Sequence, residues 1–319
     1  MCRPGRESSH ALRISEAERT QYAEEGFFVR QAYSEEDIDA LSGRVDRLIA
    51  QVEGSDILSA DDKRFILRRN VKATAATGPE SLNSLFRVHL FSRLIREHIR
   101  DACRLDPVQA LLGDDLFCPN DLYFFKPPGT GRPIAWHQDS WYFRNHYETS
   151  DGSALEGASI GTWLAIDSAG VDNGCLWVIP GSHQQGVVDH SELEHGEELP
   201  VRHTADVAKD LEDRQIPVEV PKGSLVFFNN ALLHRSTANR SDRFRRAYVV
   251  HYMKATIRHT ERGRLHGRPV AMGDWGSVEC YVSGRQFEGS VGTTGEDESL
   301  NWDGVVGRDL QVEETKVLR

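Results

Sequence analysis

Trp136-His137-Gln138-Asp139 places an imidazole and a carboxylate two residues apart. On an extended strand, residues i and i+2 face the same side, so His137 and Asp139 can reach one ion. A third ligand must come from elsewhere in the chain. His234, after the apolar run 225–228 and in the stretch Asn229-Asn230-Ala231-Leu232-Leu233-His234, is the candidate, on an adjacent strand. Two histidines and one carboxylate on one face hold non-heme iron(II) and leave positions open for a chelating 2-oxo acid and dioxygen.

A 2-oxo dicarboxylate needs its far carboxylate held at a fixed distance from the metal. Arginine suits this, because its planar fork gives two parallel charge-assisted bonds and stays charged. Downstream of His234 the chain carries Arg235, Arg240, Arg243, Arg245 and Arg246, and Ser236 could add a hydroxyl. Chemistry alone does not choose among the five arginines.

These groups need elements to position them. The first third reads as helical. Ser34 with Asp37 looks like an N-cap, and Ile38, Leu41, Val45, Leu48, Ile49 and Val52 recur at helical spacing up to Gly54. A second helix is expected from Leu85 through Phe91, Leu94, Ile95, His98 and Ile99, and a third from Pro107 to Leu112. From Leu116 the pattern turns to short strands, over 122–125, 159–166, 175–179, 218–220, 225–228 and 247–252. Strands at such close intervals favour a jelly roll, and helices before strands give an α+β, mainly β unit. The expected organisation is one domain over 1–319. Residues 12–113 form its helical N-terminal part, 114–255 its jelly-roll core and 256–319 a C-terminal extension. The acidic stretch 187–215 is either a solvated insertion or an active-site lid.

Bulk properties narrow the classes. With 319 residues, 39% hydrophobic and 27% charged, the chain can build a core without staples. A net charge of −11 argues against a nucleic-acid partner. No apolar run reaches the ~18 residues of a membrane span, and no secretory leader is evident at Met1 to His10. Five scattered cysteines, none in a Cys-x-x-Cys pair, speak against a disulfide framework or thiolate zinc site and suit a cytoplasmic location.

Three pieces in order resemble the phytanoyl-CoA dioxygenase family of iron(II)- and 2-oxoglutarate-dependent oxygenases. They are His137-Gln138-Asp139, then Asn173-Gly174-Cys175-Leu176 running to Pro180-Gly181-Ser182-His183, then His234-Arg235-Ser236 through Asn239 to Arg245. The resemblance implies a double-stranded β-helix (cupin-like) core with the N-terminal helices packed outside. It also implies iron(II) on His137, Asp139 and His234, with 2-oxoglutarate and dioxygen as co-substrates. It selects Arg245 as the co-substrate clamp, with Ser236 beside it, and places Trp163 and Leu122 in the co-substrate pocket. Lys72 is the candidate for a lysine that some members use upstream. His183 is expected to be structural. Halogenating relatives lack the carboxylate ligand, so Asp139 favours hydroxylation.

The prime substrate is expected to be a small molecule. Trp141 and Phe143, read as alternating strand positions, are candidates to line its pocket, and Arg68 and Arg69 to meet an acidic group. Two other readings remain: a cupin-like metal protein that does not use 2-oxoglutarate, and a non-catalytic binding protein on the same fold.

Overall fold

The computed structural model describes residues 14–56, 58–90, 92–193, 203–260 and 280–285. Its N-terminal part opens with helix α1 (Glu16–Glu25), strand β1 (Phe27–Gln31) and helix α2 (Glu35–Gly54). Then come α3 (Ala60–Ile66), β2 (Leu67–Arg69), β3 (Leu82–Phe86), α4 (Arg93–Ile99) and α5 (Ala102–Leu112). The strand-rich part follows with β4 (Leu116–Cys118), β5 (Asp121–Lys126), β6 (Ile134–His137), the short helix α6 (Asp139–Phe143) and β7 (Tyr147–Glu148). After these come β8 (Ser159–Ala165), β9 (Leu176–Val178), β10 (His190–Glu192), β11 (His203–Ala205), helix α7 (Lys209–Glu212) and β12 (Ile216–Val218). The order closes with β13 (Ser224–Asn229), β14 (His234–Ser236), β15 (Arg245–Lys254), β16 (Arg258–His259) and β17 (Cys280–Ser283).

Two sheets make the jelly roll. The major sheet runs β1-β13-β8-β15-β5-β3-β2, with β4 and β17 attached beside β15, and the minor sheet runs β12-β9-β14-β6. Strict alternation sorts the central strands. Trp163, Ala165, Val226, Phe228, Ala247 and Val249 pack with Leu176 and Val178 of the minor sheet. Their neighbours Leu164, Leu225, Phe227, Tyr248 and Val250 turn the other way and pack against Ile38, Leu41, Val45 and Ile49 of α2. Central strands buried on both faces read as continuous apolar runs, which is why they stood out in the sequence. Each fully buried leucine, isoleucine or phenylalanine contributes about 1.5–3 kcal/mol.

Ser34 caps α2 by accepting from the Asp37 N–H, and the buried residues are the six at helical spacing, joined by Ser42. The second expected helix is corrected. Residues 82–86 form β3, paired with β5 and β2, and the helix begins only at Arg93. A short apolar run does not declare its period, and pairing to the sheet decided it. Phe91 lies outside the described residues. The N-terminal third is therefore not wholly helical, because β1, β2 and β3 all add to the major sheet. The third helix starts earlier than expected, at Ala102, with Pro107 inside it.

Cys118 and Cys175 are free and buried, whereas Cys103 is disulfide-bonded, which the scattered cysteines did not suggest. Among the described residues no helix is long and apolar enough to cross a membrane. Of the acidic stretch 187–215, residues 194–202 lie outside the described residues, as does most of 256–319.

Candidate metal and co-substrate site

His137 ends β6 and His234 begins β14, and the two are directly opposed in the antiparallel pair. Their rings lie 4.0 Å apart, centroid to centroid. Asp139 is not on the strand, contrary to the expectation of a shared strand face. The chain leaves β6 at Gln138, and Asp139 starts α6. Its carboxylate still reaches both imidazoles, with Oδ1 3.8 Å from His137 Nε2 and Oδ2 3.7 Å from His234 Nε2. Ligand atoms of the three residues all lie within 4.8 Å of one another.

Backbone carbonyls orient both histidines. Nδ1 of His137 donates to Ala135 O at 2.8 Å, and Nδ1 of His234 to Leu232 O at 2.9 Å. That fixes the tautomer and leaves each Nε2 lone pair for an ion. Burial, with the neighbouring His234, takes the His137 pKa down to about 3, and burial takes His234 to about 4. Both are neutral at ordinary pH, the form that ligates a metal. The donor set is the one that suits an octahedral iron(II) with three positions open.

Gln138, fully buried between the two ligands of its own segment, ties two loops to that segment. Its Nε2 donates to Ala231 O at 2.6 Å and to Gly186 O at 2.8 Å, and its Oε1 accepts from the Val188 N–H at 2.8 Å. Ser182 Oγ accepts from the Leu233 N–H at 2.9 Å, so the Pro-Gly-Ser-His turn steadies the residue just before His234. His183 has the expected structural place, packed on the end of α1 with Nε2 3.2 Å from Ala23 O. Gly174 has φ +88°, and a Cβ there would lie 2.5 Å from Thr237 O, so only glycine lets this turn approach the strand after His234.

The five arginines are now distinct. Arg235 stacks on Trp136 and bonds Gln215, Arg243 pairs with Asp172, and Arg246 pairs with Asp167, while Arg240 is exposed. Arg245 alone among them is fully buried with no acid partner, and its Nε finds no hydrogen bond. Burial takes its pKa down to about 10, so it remains a cation at neutral pH. The oxygen of Ser236 is likewise buried and unpaired. Both line one cavity of about 640 Å³ that also contains His137, Asp139 and His234. Orphaned buried donors beside a facial triad fit the distal carboxylate of a 2-oxo dicarboxylate.

Trp163, with the Arg245 guanidinium 5.7 Å from its ring, and Leu122 line the same cavity, as does Phe143. Trp141 does not. It sits on α6, not on a strand, stacked on His190 at 4.6 Å and tilted against His203 at 4.8 Å. Lys72 is exposed in a turn and is not among the lining residues. Arg68 lines the cavity, whereas Arg69 turns away to Glu53, as alternation along β2 requires. His251 was missed in the sequence. It is buried in the cavity wall, with Nδ1 3.2 Å from Asn230 Oδ1 and 3.8 Å from Asp139 Oδ2. Counting in twos from Arg245 along β15 would have found it.

Comparison with known proteins agrees with this geometry. Phytanoyl-CoA dioxygenase domain-containing protein 1 of Bos taurus is 27% identical over 274 residues, covering 76% of this chain and 91% of the relative. The protein of the same name from Danio rerio is 34% identical over 135 residues, and there the chain spans only 44% of the relative's length. Among solved structures, EctD from S. alaskensis with 2-oxoglutarate and 5-hydroxyectoine has a TM-score of 0.62 at 21% identity, covering 89% of this chain and 88% of that one. SnoK, a non-heme alpha-ketoglutarate-dependent carbocyclase from nogalamycin biosynthesis, has a TM-score of 0.57 at 20% identity, covering 85% and 97%. At these identities the structural likenesses show a shared fold. The family model of phytanoyl-CoA dioxygenase (PhyH) matches residues 22–247, and the chain belongs to that family.

Proposed function

We propose that this chain is an iron(II)- and 2-oxoglutarate-dependent oxygenase that hydroxylates a small organic substrate, with release of succinate and carbon dioxide. One observation carries the reading: a buried arginine without an acid partner shares a cavity with the His137–Asp139–His234 triad. A cupin-like metal protein working without 2-oxoglutarate has no use for that arginine.

His137, Asp139 and His234 would hold the iron, and Arg245 with Ser236 would take the distal carboxylate of 2-oxoglutarate. EctD, solved with 2-oxoglutarate, and SnoK, described as alpha-ketoglutarate dependent, share the fold and support the assignment. The bound pair supplies oxidation of a carbon–hydrogen bond by dioxygen. The chain's own part is to bind, orient and exclude water. Backbone carbonyls aim the two imidazoles, Gln138 fixes the loops behind them, and Phe124, Trp163 and Phe228 give the cavity apolar walls. Asp139 would supply the carboxylate ligand that halogenating relatives lack, which favours hydroxylation over halogenation.

Anaerobic titration of iron(II) and 2-oxoglutarate into metal-free protein tests the reading. A weak visible charge-transfer band should appear for the wild type and fade for Arg245→Ala. Folded protein that binds iron and gives no band would refute it.

A further inference from the structure

The cavity that holds the triad is cationic in a chain whose net charge is −11. Asp139 is the one carboxylate among its lining residues, against four arginines: Arg68, Arg87, Arg235 and Arg245. Most of that charge is accounted for. Arg235 leans on Glu212 at 3.7 Å outside the cavity. On the proposed function, on which this inference rests, iron(II) and Arg245 together offset Asp139 and doubly charged 2-oxoglutarate. Arg68 and Arg87 are left over.

These two arginines are a pair. Arg68 lies on β2, the last strand of the major sheet, and Arg87 follows β3 next to it. Both guanidinium groups lie over the same ring, Phe86, at 4.1 and 5.2 Å from its centroid. Neither makes an ion pair among the described residues, and Arg87 Nε is buried with no hydrogen bond. Each would rather be apart from the other. Partial desolvation in the cavity and then the nearby Arg87 push the Arg68 pKa down. Asp121, the first residue of β3's partner strand β5, is already taken by His89 and Tyr248. Arg87 also holds a backbone φ of 55°, a left-handed conformation that a non-glycine residue adopts at a cost. Two uncompensated cations and a strained backbone at one end of a cavity are a preorganised oxyanion site.

We infer that the prime substrate is an organic anion, its carboxylate or phosphate held by Arg68 and Arg87 while its apolar body extends past Leu122 and Phe143 to the metal. Both oxyanions suit the arginine fork, and they imply different molecules: a free organic acid in one case, a phosphorylated or nucleotide-carried compound in the other.

The test is calorimetric titration at low salt with four probes of similar body: 3-phenylpropanoate, 2-phenylethyl phosphate, the neutral 3-phenylpropanamide and the cationic 2-phenylethylamine. It is run on metal-free protein and, anaerobically, on protein loaded with iron(II) and 2-oxoglutarate. At least one anion should bind about tenfold more tightly than the amide, and Arg68→Gln with Arg87→Gln should abolish that preference while 2-oxoglutarate affinity stays within about twofold. Arg68 is exposed, so Arg68→Glu carries the test if the double variant does not fold. It should reverse the preference toward 2-phenylethylamine. Which anion binds better separates the two sources. No anion binding, equal binding of the amide, or a preference that survives the substitutions overturns the inference. An intact anion preference without the charge-transfer band would sink the cofactor reading alone.

Discussion

Arg245 and Arg246 are neighbours in β15 and face opposite sides of the major sheet. Arg245 enters the cavity with its Nε unpaired, while Arg246 faces the helical layer, where Asp167 takes two of its nitrogens at 2.8 Å and Ser42 of α2 a third. Adjacent and chemically identical residues thus have separate tasks, and mutation should separate them.

Arg245→Ala should raise the Kd for 2-oxoglutarate by about 100-fold or more, because a charge-assisted bidentate contact in a dry pocket is lost, with little change in Tm. Arg246→Ala should leave that Kd alone and cost roughly 1–3 kcal/mol of stability by stranding half-buried Asp167. Parallel binding and melting curves decide it. Equal effects on 2-oxoglutarate affinity would show that the two residues share one role.

Metal binding should staple the minor sheet. His137 and His234 are opposed across β6 and β14, so an ion that binds both stabilises the folded pairing. Anaerobic iron(II), or manganese(II) as a redox-silent substitute, at about 100 times its Kd should add roughly 2.7 kcal/mol to stability. A chelator should reverse the gain, and His137→Ala should abolish it. A metal-induced rise in Tm that persists in His137→Ala would place the ion elsewhere.

Much of the site was readable before the fold was known, and the failures have a common cause. His137, Asp139 and His234 were found because ligand chemistry restricts residue types, and β15 because strands buried on both faces are uniformly apolar. Asp139 was placed on the wrong element: two residues on a strand and two across a strand–helix junction look the same in sequence. β3 was mistaken for helix because its pairing with β5 is a contact far away in the chain. Arg87 escaped notice because its importance lies in a missing partner and a positive φ, and neither is written in residue order.

Gln138 should matter more than its position between two ligands suggests. Truncation in Gln138→Ala would unpair Ala231 O, Gly186 O and the Val188 N–H in a buried setting. The expected loss is about 2–4 kcal/mol, with iron affinity falling as the loop that leads into His234 and the segment that carries His137 and Asp139 loosen. Differential scanning calorimetry and metal titration report the two effects. Unchanged iron affinity in the destabilised variant would confine Gln138 to folding.

The N-terminal helix offers a pH test remote from the metal. Burial opposes ionisation of Glu18, but hydrogen bonds from Arg30 and from Ser15 outweigh it and take the carboxyl pKa from 4.5 to about 2. The Arg30–Glu18 contact, 2.7 Å long, ties α1 to β1 at the edge of the major sheet. A carboxylate whose folded pKa is depressed contributes stability that is fully present above its unfolded value. That contribution fades as pH falls from about 4.5 toward 2. Both side chains keep some solvent contact, so screening leaves roughly 1–2 kcal/mol at neutral pH. Glu18→Gln should therefore melt below wild type at pH 7 and converge with it as pH approaches 2. A gap that stays constant across that window would mean that the glutamate acts through packing and not through its charge.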